Sequence, residues 1–277
     1  MIEIGKYNTL TILRTAIVGL YLGGEQGEDV LLPNKYVPEN YKIDDEINVF
    51  VYLDNEERKI ATTLKPKILM HQFALLQVKE VSKYGAFLDW GLGKHLLVPF
   101  KEQFQKMEEG RWYIVYLDLD EQTDRLYASN RIEKILDNEV VSVKEGEEVD
   151  IMFYRETEIG YSVIVNHCHR GLVYNNEIFK NINIGDRQKA YVKLIREENK
   201  LDISLQPIGY QNFNSVNTQK LYDDLKSNKG FIPLTDKSAP DDIYKRFAIS
   251  KKAFKRAVGE LYKQRKIVIE EKGIKLV

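Results

Sequence analysis

The stretch VSKYGAFLDWG, Val81 to Gly91, decides how the rest of the chain is read. Its apolar alternation is that of a half-buried strand. Tyr84 and Phe87, however, stand three residues apart and would face opposite sides of a regular one. A glycine inside a strand pattern marks a bulge, which resets side-chain parity by one residue. With a bulge at Gly85, Tyr84 and Phe87 share one face, and Ala86 and Leu88 point the other way. Two exposed rings on one face of a small barrel form a stacking platform for unpaired bases. Without the bulge, Tyr84 is half-buried and Phe87 is core.

The surroundings favour a barrel. VYLDNEERKIATTLKP (Val51 to Pro66) aligns without a gap on VKLIREENKLDISLQP (Val192 to Pro207), and both end in Leu-x-Pro. VYLDLDEQTDRLYAS (Val115 to Ser129) repeats the pattern with two extra turn residues. Each reads as a hairpin of two alternating strands around a charged turn. Upstream of each hairpin stands a glycine-started strand, led by Gly19, Gly85 and Gly160, then a short apolar segment. Leu10 to Gly24 reads as strand. About five short strands per repeat, three times over, predict small barrels in series.

After Pro207 the texture changes. IGYQNFNSVNT is polar and reads as a linker. A helix follows, with Thr218 as its cap and Leu221, Tyr222 and Leu225 on one face. Pro240 opens a second helix and Ser250 caps a third, about three residues after the second ends, as in a helix-turn-helix. KIVIEEKGIKLV closes the chain as a hairpin bending at Lys272-Gly273. Helix, helix, helix, hairpin is the order of a winged helix. The expected fold is therefore mainly β with a C-terminal α+β domain: five-stranded OB-fold barrels over 1–64, 65–136 and 137–208, a linker over 209–217 and a winged helix over 218–277.

KYGAFLDWG followed by LLVPF and VYLDLDEQTDRLYAS resembles the S1 RNA-binding motif, an OB-fold barrel. In that family the aromatics around the strand glycine contact RNA, with an aspartate at the start of the last hairpin and a basic residue before the final strand. Carried onto the second repeat these are Tyr84, Phe87, Asp118 and Arg125. Pro99 stands where the family often has a histidine; Lys94 and His95, just before that strand, are the substitutes. In the first repeat the matches are Tyr21, Asp54 and Lys59, with Val18 in place of Tyr84. In the third, Ile159 and Ser162 stand at the aromatic positions and Ile195 at the aspartate, leaving Tyr154, Tyr161 and Tyr174 as its ring supply. The repeats thus rank second, first, third as platforms. Three such repeats and a winged helix resemble, across essentially the whole chain, the conserved virulence factor B family. That resemblance implies RNA binding without catalysis, with effects on gene expression.

Charge distribution points the same way. The 277 residues carry a net charge of -1, but from Gln211 onward there are 15 Lys and Arg against 8 Asp and Glu. An asymmetry of that kind hints at nucleic-acid contact by one part of a chain. On the last helix Lys252, Lys255, Arg256 and Lys263 lie off the apolar face made by Phe254, Ala257, Val258 and Leu261. This helix can enter a DNA groove, so a DNA-binding regulator with the barrels as interaction modules is the alternative, and a protein-interaction scaffold a third reading.

Catalytic and metal chemistry find no support in the pattern. Cys168 is the single cysteine, which excludes an internal disulfide and fits a reducing, cytoplasmic compartment. His167, Cys168 and His169 are neighbours on one segment and point apart, whereas metal ligands must converge. With Arg170, the two histidines are candidates for RNA contact instead. Tyr21 to Asp29 has glycines but no phosphate-loop lysine, and Leu10 to Gly24, interrupted by Arg14, is shorter than a membrane span. No cofactor, metal or membrane partner is expected; the expected partner is single-stranded RNA, with DNA through the winged helix.

Overall fold

The computed structural model describes residues 1–24, 27–178, 181–207, 216–228, 230–270 and 272–277. It contains two compact units, Met1–Leu205 and Gln206–Val277.

The first unit holds three copies of one five-stranded design. The first copy has β1 (Tyr7–Ala16), β2 (Gly19–Gly23), β3 (Asp29–Pro33), β4 (Glu46–Leu53) and β5 (Lys59–Thr62). They close into a barrel in the order β1-β2-β3-β5-β4, with β3 and β5 parallel and the other pairs antiparallel. The second copy has β6 (Phe73–Val81), β7 (Gly85–Asp89), β8 (Leu96–Pro99), β9 (Trp112–Asp120) and β10 (Arg125–Ser129), hydrogen-bonded in the order β10-β9-β6-β7-β8. A single turn, α1 (Ile132–Ile135), leads to the third: β11 (Glu148–Thr157), β12 (Gly160–Val165), β13 (His169–Tyr174), β14 (Arg187–Ile195) and β15 (Leu201–Ser204), again a closed barrel. Within Leu10 to Gly24, the end of β1 and all of β2 flank a turn at Ile17 and Val18, and Gly19 begins a strand as expected.

The bulge expected at Gly85 lies elsewhere. Gly85 pairs in register with Pro99. The register slips one strand earlier, between Val78 and Glu80, so Lys79 is the extra residue. The same slip occurs in β1 between Ile12 and Arg14 and in β11 between Phe153 and Arg155. The glycines serve another purpose. Gly19, Gly85 and Gly160 have φ of +151°, +148° and +156°, and a Cβ there would fall 2.0, 2.2 and 2.0 Å from the carbonyl oxygens of Leu32, Val98 and Val173. Only a residue without a side chain lets the second strand approach the third so closely.

The barrels do not keep separate cores. Phe50 and Tyr52 of β4 join the apolar cluster of the second barrel, with edge-on contacts to Trp90 at 5.8 and 6.0 Å. A further cluster of Phe73, Ile114, Leu136, Met152, Tyr154 and Ile164 seals the second barrel to the third.

The second unit has α2 (Val216–Ser227), β16 (Phe231–Ile232), α3 (Pro240–Phe247), α4 (Lys251–Lys263), β17 (Ile267–Glu270) and β18 (Gly273–Leu276), with a sheet ordered β16-β18-β17. Pro240 occupies the first turn of α3, and the Ser250 hydroxyl accepts the Ala253 N–H to cap α4. Phe254, Ala257, Val258 and Leu261 are buried, as their spacing requires. Thr218 is not a cap: α2 begins at Val216, and the buried Thr218 hydroxyl donates to Glu260 of α4 at 2.5 Å. The expected linker at 209–217 lies largely outside the described residues.

Candidate nucleic-acid interface

Tyr84 stands before β7, in the bend that follows β6, so strand parity does not govern it. Its ring is 64% exposed, and the Lys83 ammonium lies 5.0 Å from the ring centroid. The Ser82 hydroxyl accepts the Tyr84 N–H at 3.0 Å and steadies the bend. Phe87 occupies the outward pleat between Ala86 and Leu88, which are fully buried; it is half-buried between Glu80 and Leu97. His95 is exposed at the approach to β8. Asp118 accepts the Leu119 N–H at 2.9 Å and the Tyr127 hydroxyl at 3.3 Å, with His71 Nε2 3.6 Å away. Burial, reinforced by the Asp118 charge, pushes the Tyr127 hydroxyl up to about 12.

The two remaining cations of this face turn toward the first barrel. Lys94 Nζ donates to the carbonyls of Leu53 and Asp54 at 3.2 and 2.7 Å. Burial there lowers its ammonium below the usual lysine value. Arg125 pairs with Glu57. The turn of the first barrel's last hairpin is thus held against the second barrel's face, and these two residues hold it.

In the first barrel, Tyr21 has the Arg14 guanidinium 4.1 Å over its ring, and Arg14 is tied to Asp29 at 2.7 Å. Asp54 binds its own turn: it accepts the backbone N–H groups of Glu56 and Arg58 at 2.8 and 3.0 Å and the Arg58 guanidinium at 2.8 Å. Burial works to raise its carboxyl, but those hydrogen bonds prevail and hold it below the ordinary aspartate value. Lys59 lies 3.6 Å from Glu28 and donates to the Ile2 carbonyl at 3.4 Å.

The third barrel corrects two expectations. Two of its three rings are committed to packing: Tyr154 is buried in the seal to the second barrel, and Tyr161 packs edge-on against Phe153 at 5.8 Å. His167 and His169 are structural as well. His167 Nδ1 accepts the Phe73 N–H at 3.0 Å, and His169 is buried between the Asp137 carbonyl and the Ser142 hydroxyl. Tyr174 and Arg170, both expected as contacts, line a cleft of about 490 Å³ together with Arg196 and Lys200, the two cations that the sequence reading missed. Arg196 pairs with Asp202 at 2.7 Å and donates to the Tyr174 hydroxyl at 2.7 Å. Its cations come from scattered strand ends, so no compact motif announces it.

On the winged helix Lys252, Lys255, Arg256 and Lys263 are exposed. Lys255 lies 3.9 Å from Asp236. Among the described residues the other three have no carboxylate partner. No described helix is long and apolar enough to cross a membrane.

OB-type barrels of the S1 kind and a winged helix are both nucleic-acid-binding domains, and they define the chain as a multidomain nucleic-acid-binding protein. The S1 domain model matches residues 4–64, and the model of the CvfB-like winged helix domain matches 219–276. The chain is 30% identical to the uncharacterized protein YitL of Bacillus subtilis, over 96% of this chain and 91% of that one. It is 29% identical to conserved virulence factor B of Staphylococcus epidermidis, over 92% of this chain and 88% of that one. A solved multidomain protein with nucleic acid binding domains from Streptococcus pneumoniae is 25% identical, covering 99% of this chain and 98% of its own, with a TM-score of 0.42. The chain belongs to the conserved virulence factor B family.

Proposed function

We propose that the chain is a non-catalytic, cytoplasmic regulator of gene expression that binds single-stranded RNA. The observation that carries this reading is the Tyr84 ring, held out beside Lys83 on a barrel whose next outward residue is Phe87. A base stacked on an aromatic ring contributes roughly 1–3 kcal/mol, whatever the base. The phosphates would meet Lys83 and His95 here and Lys252, Arg256 and Lys263 on the winged helix. Lys94, Arg125, Asp54 and Lys59 serve the reading indirectly, by fixing the first barrel's hairpin and N-terminal segment.

The test is a salt titration of the full chain against single-stranded RNA, single-stranded DNA and duplex DNA. Tyr84→Ala with Phe87→Ala is expected to weaken RNA binding by about tenfold or more while leaving the salt slope in place, since stacking and counterion release are separate contributions. An unchanged dissociation constant removes the platform. Tighter binding to duplex DNA, lost in Lys252→Ala with Arg256→Ala, would favour the winged helix as the reader instead.

A further inference from the structure

The junction between the second and third barrels contains a cleft of about 580 Å³, whose lining does not include Tyr84 or Phe87. That volume is within the usual range of a small-ligand site. Phe104, from the segment between β8 and β9, lines it with a ring that is 76% exposed. Tyr154 of the inter-barrel seal and Tyr113 of the second barrel's core also line it, both almost fully buried. Arg131, Lys134 and Arg155 supply three positive charges against one carboxylate, Glu133. They do so in a unit that carries 26 Lys and Arg against 34 Asp and Glu. Local charge opposite in sign to the body around it focuses an anion onto one spot.

We propose that this cleft binds one nucleotide unit of a single-stranded RNA, its base laid against Phe104 and its phosphate between Lys134 and Arg155. The assignment rests on the RNA-binding reading above, and it extends the strand's path from the second barrel to the third. Glu133 is the gate of the site. Its carboxylate pairs with Arg155 at 3.0 Å and with Arg170 at 2.6 Å, and it accepts the Tyr154 hydroxyl at 3.1 Å. A phosphate entering the cleft competes with Glu133 for Arg155. Arg170, on the other side of Glu133, lines the cationic cleft of the third barrel. One carboxylate therefore screens cations in both clefts. Lys134 has no partner among the described residues.

The experiment measures fluorescence anisotropy of the full chain with labelled oligouridylate and oligoadenylate of about 20 nucleotides, long enough to span more than one barrel. Phe104→Ala is expected to weaken binding roughly five- to tenfold and Phe104→Trp to preserve it, because the ring is what binds. Phe104 packs into no core, so neither change should unfold the protein. Lys134→Ala should lower the salt slope by about 0.7, the value of one phosphate contact on a single strand. Glu133→Gln should tighten binding, beyond any effect of Glu109→Gln, an equal charge change at an exposed position outside the cleft. A gain of affinity cannot come from misfolding.

Wild-type affinity in Phe104→Ala, together with a loss in Tyr84→Ala, overturns the cleft assignment and leaves the RNA reading standing. No RNA binding by the wild-type chain overturns both. Equal losses in Phe104→Ala and Phe104→Trp, or Phe104-dependent binding of an acidic, aromatic peptide in place of RNA, would assign the cleft to another occupant.

Discussion

At Gly85 an added methyl group would fall 2.2 Å from the Val98 carbonyl oxygen, on a backbone with φ of +148°. Gly85→Ala is therefore expected to cost about 2 kcal/mol, lowering Tm by roughly 4–8 °C in a unit of this size. Circular dichroism on heating checks this, and an unchanged Tm would mean that β7 and β8 can separate without penalty. The special status of Gly85 was legible in the sequence; its reason was not, because the clash is with Val98, on the next strand and thirteen residues away. Tyr84 was legible as exposed but for a different cause, since it precedes the strand. Lys94 and Arg125 show where single-chain reading stops. Both have the residue type and position of an RNA contact, yet their hydrogen-bond partners belong to another barrel whose placement no local pattern encodes.

Among the elements, the hairpins were legible because period-two alternation around a charged turn has few other solutions. The α3-turn-α4 pair was legible because proline and serine mark helix starts. β16, with two residues, is too short to leave a pattern. The docking of β11 and β12 on β6 and β9 also left none, and it carries a pH dependence. Burial, with the nearby Arg187 guanidinium, depresses the His167 imidazole below its ordinary value of 6.5. The neutral ring accepts the Phe73 N–H, which a protonated Nδ1 cannot do. In the folded state the ring resists a proton that the unfolded chain accepts, so its contribution is fully present above about pH 6.5 and is lost as pH falls toward the depressed folded value. Tm is expected to drop between about pH 7 and pH 5, and His167→Gln should flatten that drop. Parallel profiles would free His167 of the role.

Across the whole first unit, the threefold repeat suggested three self-contained barrels, and the packing shows something more continuous. Phe50 and Tyr52 are part of the first barrel by chain and of the second barrel's core by contact. Phe73 and Ile114 stand in the same relation to the third. Calorimetry of the full chain is expected to show one cooperative endotherm for Met1–Leu205, not three, because opening one barrel uncovers apolar side chains of the next. Separate endotherms for the barrels would contradict that. An ancestor that gained a barrel by tandem duplication could not simply thread the new copy between two old ones, since Trp90 would lose the rings that cover it. The number of barrels is consequently locked by the seams, and evolution of this chain is freer to retune the outer pleats than to lengthen or shorten the row.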